Sequence, residues 1–212
     1  MTSSLTDRER VVAWQTQSLL LDYPDDAVRQ RLPLLRAAAA TLPEAVGSPL
    51  LSFCAHVEAT PAGTLTADYV ATFDHRKRFS LFLTYFRYGD TRKRGMALLR
   101  FQQTYRAAGH RIATTELPDH LAVVLEFAAT VDPAAGVRLL AEYRASLELL
   151  RLGLWEGRSA WSPVLESVSA TLPPLGRRDR DIVEQLAASG PPEEDVGLLP
   201  YPTNRTPGGA SV

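Results

Sequence analysis

From Asp132 to Leu154 the apolar residues Val137, Leu140, Tyr143, Leu147, Leu150 and Leu154 recur at steps of three or four. That spacing lines side chains along one stripe of an α-helix, with Asp132-Pro133 supplying an N-cap and a proline at the first helical position. No two stretches of the chain offer the matched apolar/polar alternation that paired strands need. The pattern therefore predicts an all-α protein, a single-domain helical bundle.

The same periodicity recurs along the chain. Thr6-Asp7-Arg8-Glu9 is a capping box, and Val11, Trp14, Ser18 and Leu21 continue from it to Pro24. Asp25 or Asp26 caps a second helix to about Leu42, in which Pro33 predicts a kink or an early break. Ser48-Pro49 reads as N-cap and N1 of a third, with Leu50, Phe53, Cys54 and Val57 on its apolar face and His56 off it. Leu65, Tyr69 and Phe73 predict a short helix. RFSLFLTYFRY fits a strand through Phe79, Leu81, Leu83 and Tyr85, or a helix through Phe79, Phe82, Leu83 and Phe86; lacking a partner strand, it is assigned as helix. A long helix follows from Asp90 or Thr91 to Gly109, and another starts with Pro118 at N1 and Asp119 in its first turn. Two shorter helices, Ser159 to Leu172 and Asp179 to Ala188, complete a helical domain over 1–189. Residues 190–212, rich in Pro and Gly and without periodicity, are expected to form a disordered tail.

Charge and aromaticity concentrate in one place. Seven of the seventeen aromatics (Tyr69, Phe73, Phe79, Phe82, Tyr85, Phe86 and Tyr88) lie within twenty residues, and Asp74 to Arg111 holds ten Lys or Arg against two Asp. The net charge of −1 conceals this basic segment. Basic and aromatic residues together admit a nucleic-acid or anionic-ligand adaptor, but the aromatics sit at core spacing and the pI is near 6.4. A solvated or internally paired helix face is the preferred reading.

Little in the chain suggests chemistry. It has no phosphate-binding glycine loop, no HExxH and no nucleophile elbow. Cys54 reads as a small buried hydrophobe, and a single cysteine with no apolar leader or membrane-length apolar run points to the cytoplasm. Glu116, Asp119 and His120 with Glu126 form the one acid and imidazole cluster that could carry hydrolysis; helix capping and an ordered loop are the preferred alternative.

Three strings, LLLDYPDD at 19–26, YVATFDHRKRFSLFLTYFRYGDTRKRGMALL at 69–99 and YRAAGHRIATTELPDHLAVVLEFAA at 105–129, resemble the assembly chaperones of respiratory nitrate reductase, the NarJ or delta-subunit family within the TorD/DmsD class. The resemblance covers roughly residues 10–155. It implies an all-helical protein without catalytic residues, metal ligands or a cofactor of its own, neither inserted in a membrane nor bound to nucleic acid. Its partner would be the molybdenum-containing alpha subunit, recognised at an N-terminal, twin-arginine-like peptide and held during molybdopterin insertion. The class string acidic-Pro-x-Asp-His is matched by Glu116, Pro118, Asp119 and His120, expected to act as an ordered hinge. The aromatic surplus suggests a client-peptide groove lined by Tyr69, Phe73, Asp74, Phe82, Tyr85, Phe86, Tyr88, Phe101, Tyr105 and Glu126.

Overall fold

The capping box forms as read: Thr6 Oγ1 accepts the Glu9 N–H at 3.2 Å and the Glu9 carboxylate accepts the Thr6 N–H at 2.7 Å, which starts α1 (Asp7–Leu21). The computed structural model describes residues 5–112 and 116–189. Ten more α-helices follow: α2 (Asp26–Ala40), α3 (Glu44–Ala59), α4 (Ala62–Tyr69), α5 (Tyr85–Tyr88), α6 (Arg92–Ala107), α7 (Leu121–Thr130), α8 (Pro133–Glu142), α9 (Arg144–Glu156), α10 (Ser162–Ala170) and α11 (Arg177–Ser189). A π-turn (Val70–Asp74) and a 3-10 turn (Lys77–Phe79) lead from α4 towards α5. Among the described residues there is no strand, only an isolated antiparallel bridge between Phe82 and His120. The fold is all-α in a single domain, and residues 190–212, expected to form a tail, lie outside the described residues.

The core forms where stripes meet. α1 lies against α7, α2 and α10, while α3 packs between α2 and α10, burying Trp14, Leu21, Leu50, Phe53, Leu125 and Trp161. Burial of such side chains contributes about 1.5–3 kcal/mol each. Cys54 is fully buried among them, and burial pushes its thiol up to about 11, as befits a structural hydrophobe. Gly136 of α8 touches α7 so closely that a Cβ would lie 2.2 Å from Ala128 Cβ. No other residue would allow that approach without a shift of backbone.

Five expectations change. The helix assigned to the third segment begins at Glu44 rather than at Ser48-Pro49, with Pro49 inside its second turn, where it lacks the N–H that would donate to Ala45 O. α2 runs through Pro33 without an early break. The stripe from Asp132 to Leu154 is interrupted at Tyr143 (φ −106°, ψ 25°), so that α8 packs on α7 while α9 packs on α10 and α11. Tyr143 stays buried, its ring 5.2 Å from that of Phe101. His56, expected off the apolar face, is half-buried with its ring stacked near Phe53.

The fifth concerns residues 80–84, which are not helical, so that only the 3-10 turn before them and the short α5 after them remain of the expected helix. Leu81 and Leu83 are buried on either side of the half-buried Phe82, and the partner they need is one short stretch. The Leu83 N–H donates to Asp119 O at 3.0 Å and the Leu121 N–H donates to Leu81 O at 2.9 Å. The pairing is too short to be visible as a strand in the sequence.

Candidate functional site

That pairing organises the Glu116–His120 string. Pro118 is not the first residue of a helix: a turn closed by the His120 N–H on Leu117 O at 3.0 Å comes first, and α7 starts at Leu121 with His120 as its N-cap residue. Asp119 is therefore turned away from the helix end. Its carboxylate is fully buried and accepts from the Thr84 hydroxyl at 2.6 Å and the Thr84 N–H at 3.1 Å. Arg94, on the first turn of α6, donates from Nε to Thr84 Oγ1 at 3.2 Å and brings Nη2 within 3.9 Å of Asp119 Oδ2. Its guanidinium also lies over the rings of Phe82 and Tyr85, at 5.4 and 5.9 Å. One carboxylate thus joins three segments.

Two further contacts close this clamp. The Tyr105 hydroxyl donates to Pro118 O at 2.6 Å, and burial holds that phenol above its ordinary range. The His120 ring meets Phe82 edge-on at 5.3 Å. Burial lowers the His120 pKa from its usual 6.5, against smaller opposing effects of Glu116, Asp22 and Asp119. Glu116 and Glu126 are exposed. The acid and imidazole cluster thus separates into a buried pair, Asp119 and His120, and two exposed carboxylates, Glu116 and Glu126.

The basic segment is largely engaged within the molecule. Lys77 pairs with Asp90 at 3.6 Å, Arg78 with Glu156 at 3.8 Å, Arg94 with Asp90 at 3.3 Å and Arg100 with Glu142 at 2.9 Å. Arg76 and Arg78 both face the Phe79 ring, and Arg87 faces Tyr88. Internal pairing, the preferred reading of this charge, holds for these side chains.

The residues expected to line a client groove divide in the same way. Tyr69, Tyr85, Phe86, Phe101 and Tyr105 are buried, Phe73, Phe82 and Tyr88 are half-buried, and Asp74 and Glu126 are exposed. Tyr69 is consumed by the core, packing on Phe73 and Trp161 and donating its hydroxyl to Leu21 O at 3.1 Å. Phe101 and Tyr105 pack on Tyr143 and Phe127. Tyr85 and Phe86 instead border an open cleft of about 380 Å³, whose other walls are Leu149, Leu152 and Gly153 of α9 and Leu186 of α11. A second cleft of about 360 Å³ lies beside Tyr105, with Arg106, His110, Arg111 and Glu116 around it. Sequence reasoning missed Thr84, Arg94 and the α9 wall; only the Asp90/Arg94 spacing of four residues offered a signal. Among the described residues no group of three His, Cys, Asp or Glu is placed to hold a metal ion, and no helix is long and apolar enough to cross a membrane.

Residues 28–166 match the family described as "Nitrate reductase delta subunit". The chain is 39% identical over 160 residues to the Mycobacterium tuberculosis "Nitrate reductase-like protein NarX", covering 76% of this chain but only 24% of that relative. It is 31% identical over 175 residues to the Bacillus subtilis protein named "Probable nitrate reductase molybdenum cofactor assembly chaperone NarJ", covering 82% of this chain and 94% of the relative. To the Escherichia coli "Nitrate reductase molybdenum cofactor assembly chaperone NarJ" it is 29% identical over 152 residues, 70% of this chain and 64% of that one.

Proposed function

The chain belongs to the nitrate reductase delta subunit family, and from that we propose that it is a non-catalytic assembly chaperone for a respiratory nitrate reductase. It binds the molybdenum-containing catalytic subunit in the cytoplasm and holds it while the molybdopterin cofactor is inserted and the complex assembles. The observation that carries this reading is the match along 94% of the Bacillus subtilis chaperone; the NarX match, which spans about a quarter of that longer protein, adds only the kinship. The commitment of Asp119 to Thr84 and Arg94 supports a role without catalysis.

The client contact is the N-terminal, twin-arginine-like peptide of the catalytic subunit, bound as an amphipathic helix. Tyr85 and Phe86, with the half-buried Phe82 and Tyr88 nearby in sequence, offer it apolar area. Tyr69, Phe101 and Tyr105 are taken up by the core, Glu116 and Glu126 border clefts beside Tyr105 rather than this one, and Asp74 is exposed. Glu116, Pro118, Asp119 and His120 hold the joint between the two halves of the chain.

A strain lacking this protein should make the catalytic subunit without molybdenum and show little nitrate reductase activity, both restored by the wild-type chain. Calorimetry of the purified chain with a synthetic client peptide should give a negative heat-capacity change, the mark of apolar burial. Full molybdenum content in the deletion strain would overturn the reading.

A further inference from the structure

An amphipathic client helix that presents anchors at i, i+3, i+4 and i+7 spans at least two turns. Laid in the cleft beside Tyr85 and Phe86, it meets the border of that cleft at Leu186 and Ala187.

The element at that border is α11. Each of the other helices has at least one buried residue, whereas none of residues 177–188 is buried. α11 packs on α9, with Leu186 against the core and Ile182 and Val183 half-buried one turn before it, and the non-helical link Pro173–Gly176 joins it to the bundle. Its hydrogen bonds at the N-terminus are local, Gly176 N–H to Asp179 and Arg180 to Leu175 O. Its own chemistry matches the expected client: Arg177-Arg178 in the first turn, then an apolar stripe.

We propose that α11 is an internal stand-in for the client, and that the client's N-terminal amphipathic helix docks on α9 and α5 by displacing it. The inference rests on the client-peptide reading above and adds the site and its competitor. Once α11 leaves, the surface of α9 under Ile182, Val183 and Leu186 joins Tyr85, Phe86, Leu149 and Leu152 in one apolar groove. Basic residues of the client then meet Glu156, whose present partner Arg78 is exposed and so held weakly. The client gains affinity in proportion to the fraction of chains in which α11 is already away.

The test uses the full chain, as wild type and as I182D/L186D, with a synthetic peptide carrying the N-terminal segment of the nitrate reductase catalytic subunit. Because the substituted side chains are only half-buried, the melting temperature should not change. Amide exchange should show residues 177–188 released in the variant, which should bind the peptide about tenfold more tightly than wild type. Adding peptide to wild type should accelerate exchange over the same residues. Equal affinity of the two chains, with α11 shown to be released, would overturn the inference and leave the client reading standing. Binding by neither chain would remove both.

Discussion

The Asp119 clamp and the α9/α11 face are built from opposite materials. The clamp is closed by directional hydrogen bonds from Thr84, Arg94 and Tyr105. Removing one partner strands the others away from water, which makes it a stiff joint. The α9/α11 face is held by half-buried aliphatic side chains, each contributing a small and non-directional share, and can part and re-form at little cost. On the proposal above, the clamp keeps its segments in register while the α9/α11 face exchanges one partner for another.

The sharpest way to break the comparison is Asp119→Ala. It leaves the Thr84 N–H and hydroxyl without their buried acceptor and the Arg94 guanidinium without the carboxylate beside it, and should cost about 3 kcal/mol, a fall in melting temperature of roughly 10 °C. Tyr105→Phe removes one hydrogen bond, to Pro118 O, and should cost about 1 kcal/mol by urea unfolding. A pH dependence sharpens the contrast further. The folded His120 takes up a proton less readily than the unfolded chain, so below its usual 6.5 the unfolded state binds more protons. The stability it leaves intact above 6.5 should be lost progressively as pH falls below it, and His120→Gln should flatten that slope in unfolding curves recorded on either side. Least affected should be Leu186→Asp on α11, within about 0.5 kcal/mol of wild type.

The two regions also differed in how far they could be read from residues alone. α1, α6 and α7 announced themselves through a capping box and apolar stripes, because their stability comes from one face against a core and that face has a period. The clamp did not. Its key pairing joins residues 35 positions apart, Thr84 to Asp119, and its strand-like partner spans so few residues that periodicity cannot register it. Asp119 and His120 were recognised as a string but placed on a helix end, since Pro118 followed by Asp is what a helix start looks like; the turn before Leu121 redirects the carboxylate inward. The break at Tyr143 was hidden for the complementary reason, as the stripe continues through it in sequence while the packing partner changes from α7 to α10 and α11. For the aromatics, density in sequence did not translate into exposure, because Trp161 and Phe127, far along the chain, cover Tyr69 and Tyr105.

The most direct test of the account is amide hydrogen exchange on the full chain with and without the client's N-terminal peptide. Client entry at the α9/α11 face predicts faster exchange over residues 177–188, slower exchange over 85–88 and 149–156, and no change at Leu83 and Leu121, whose N–H groups close the clamp. Opening at Leu83 and Leu121 with α11 unchanged would contradict it.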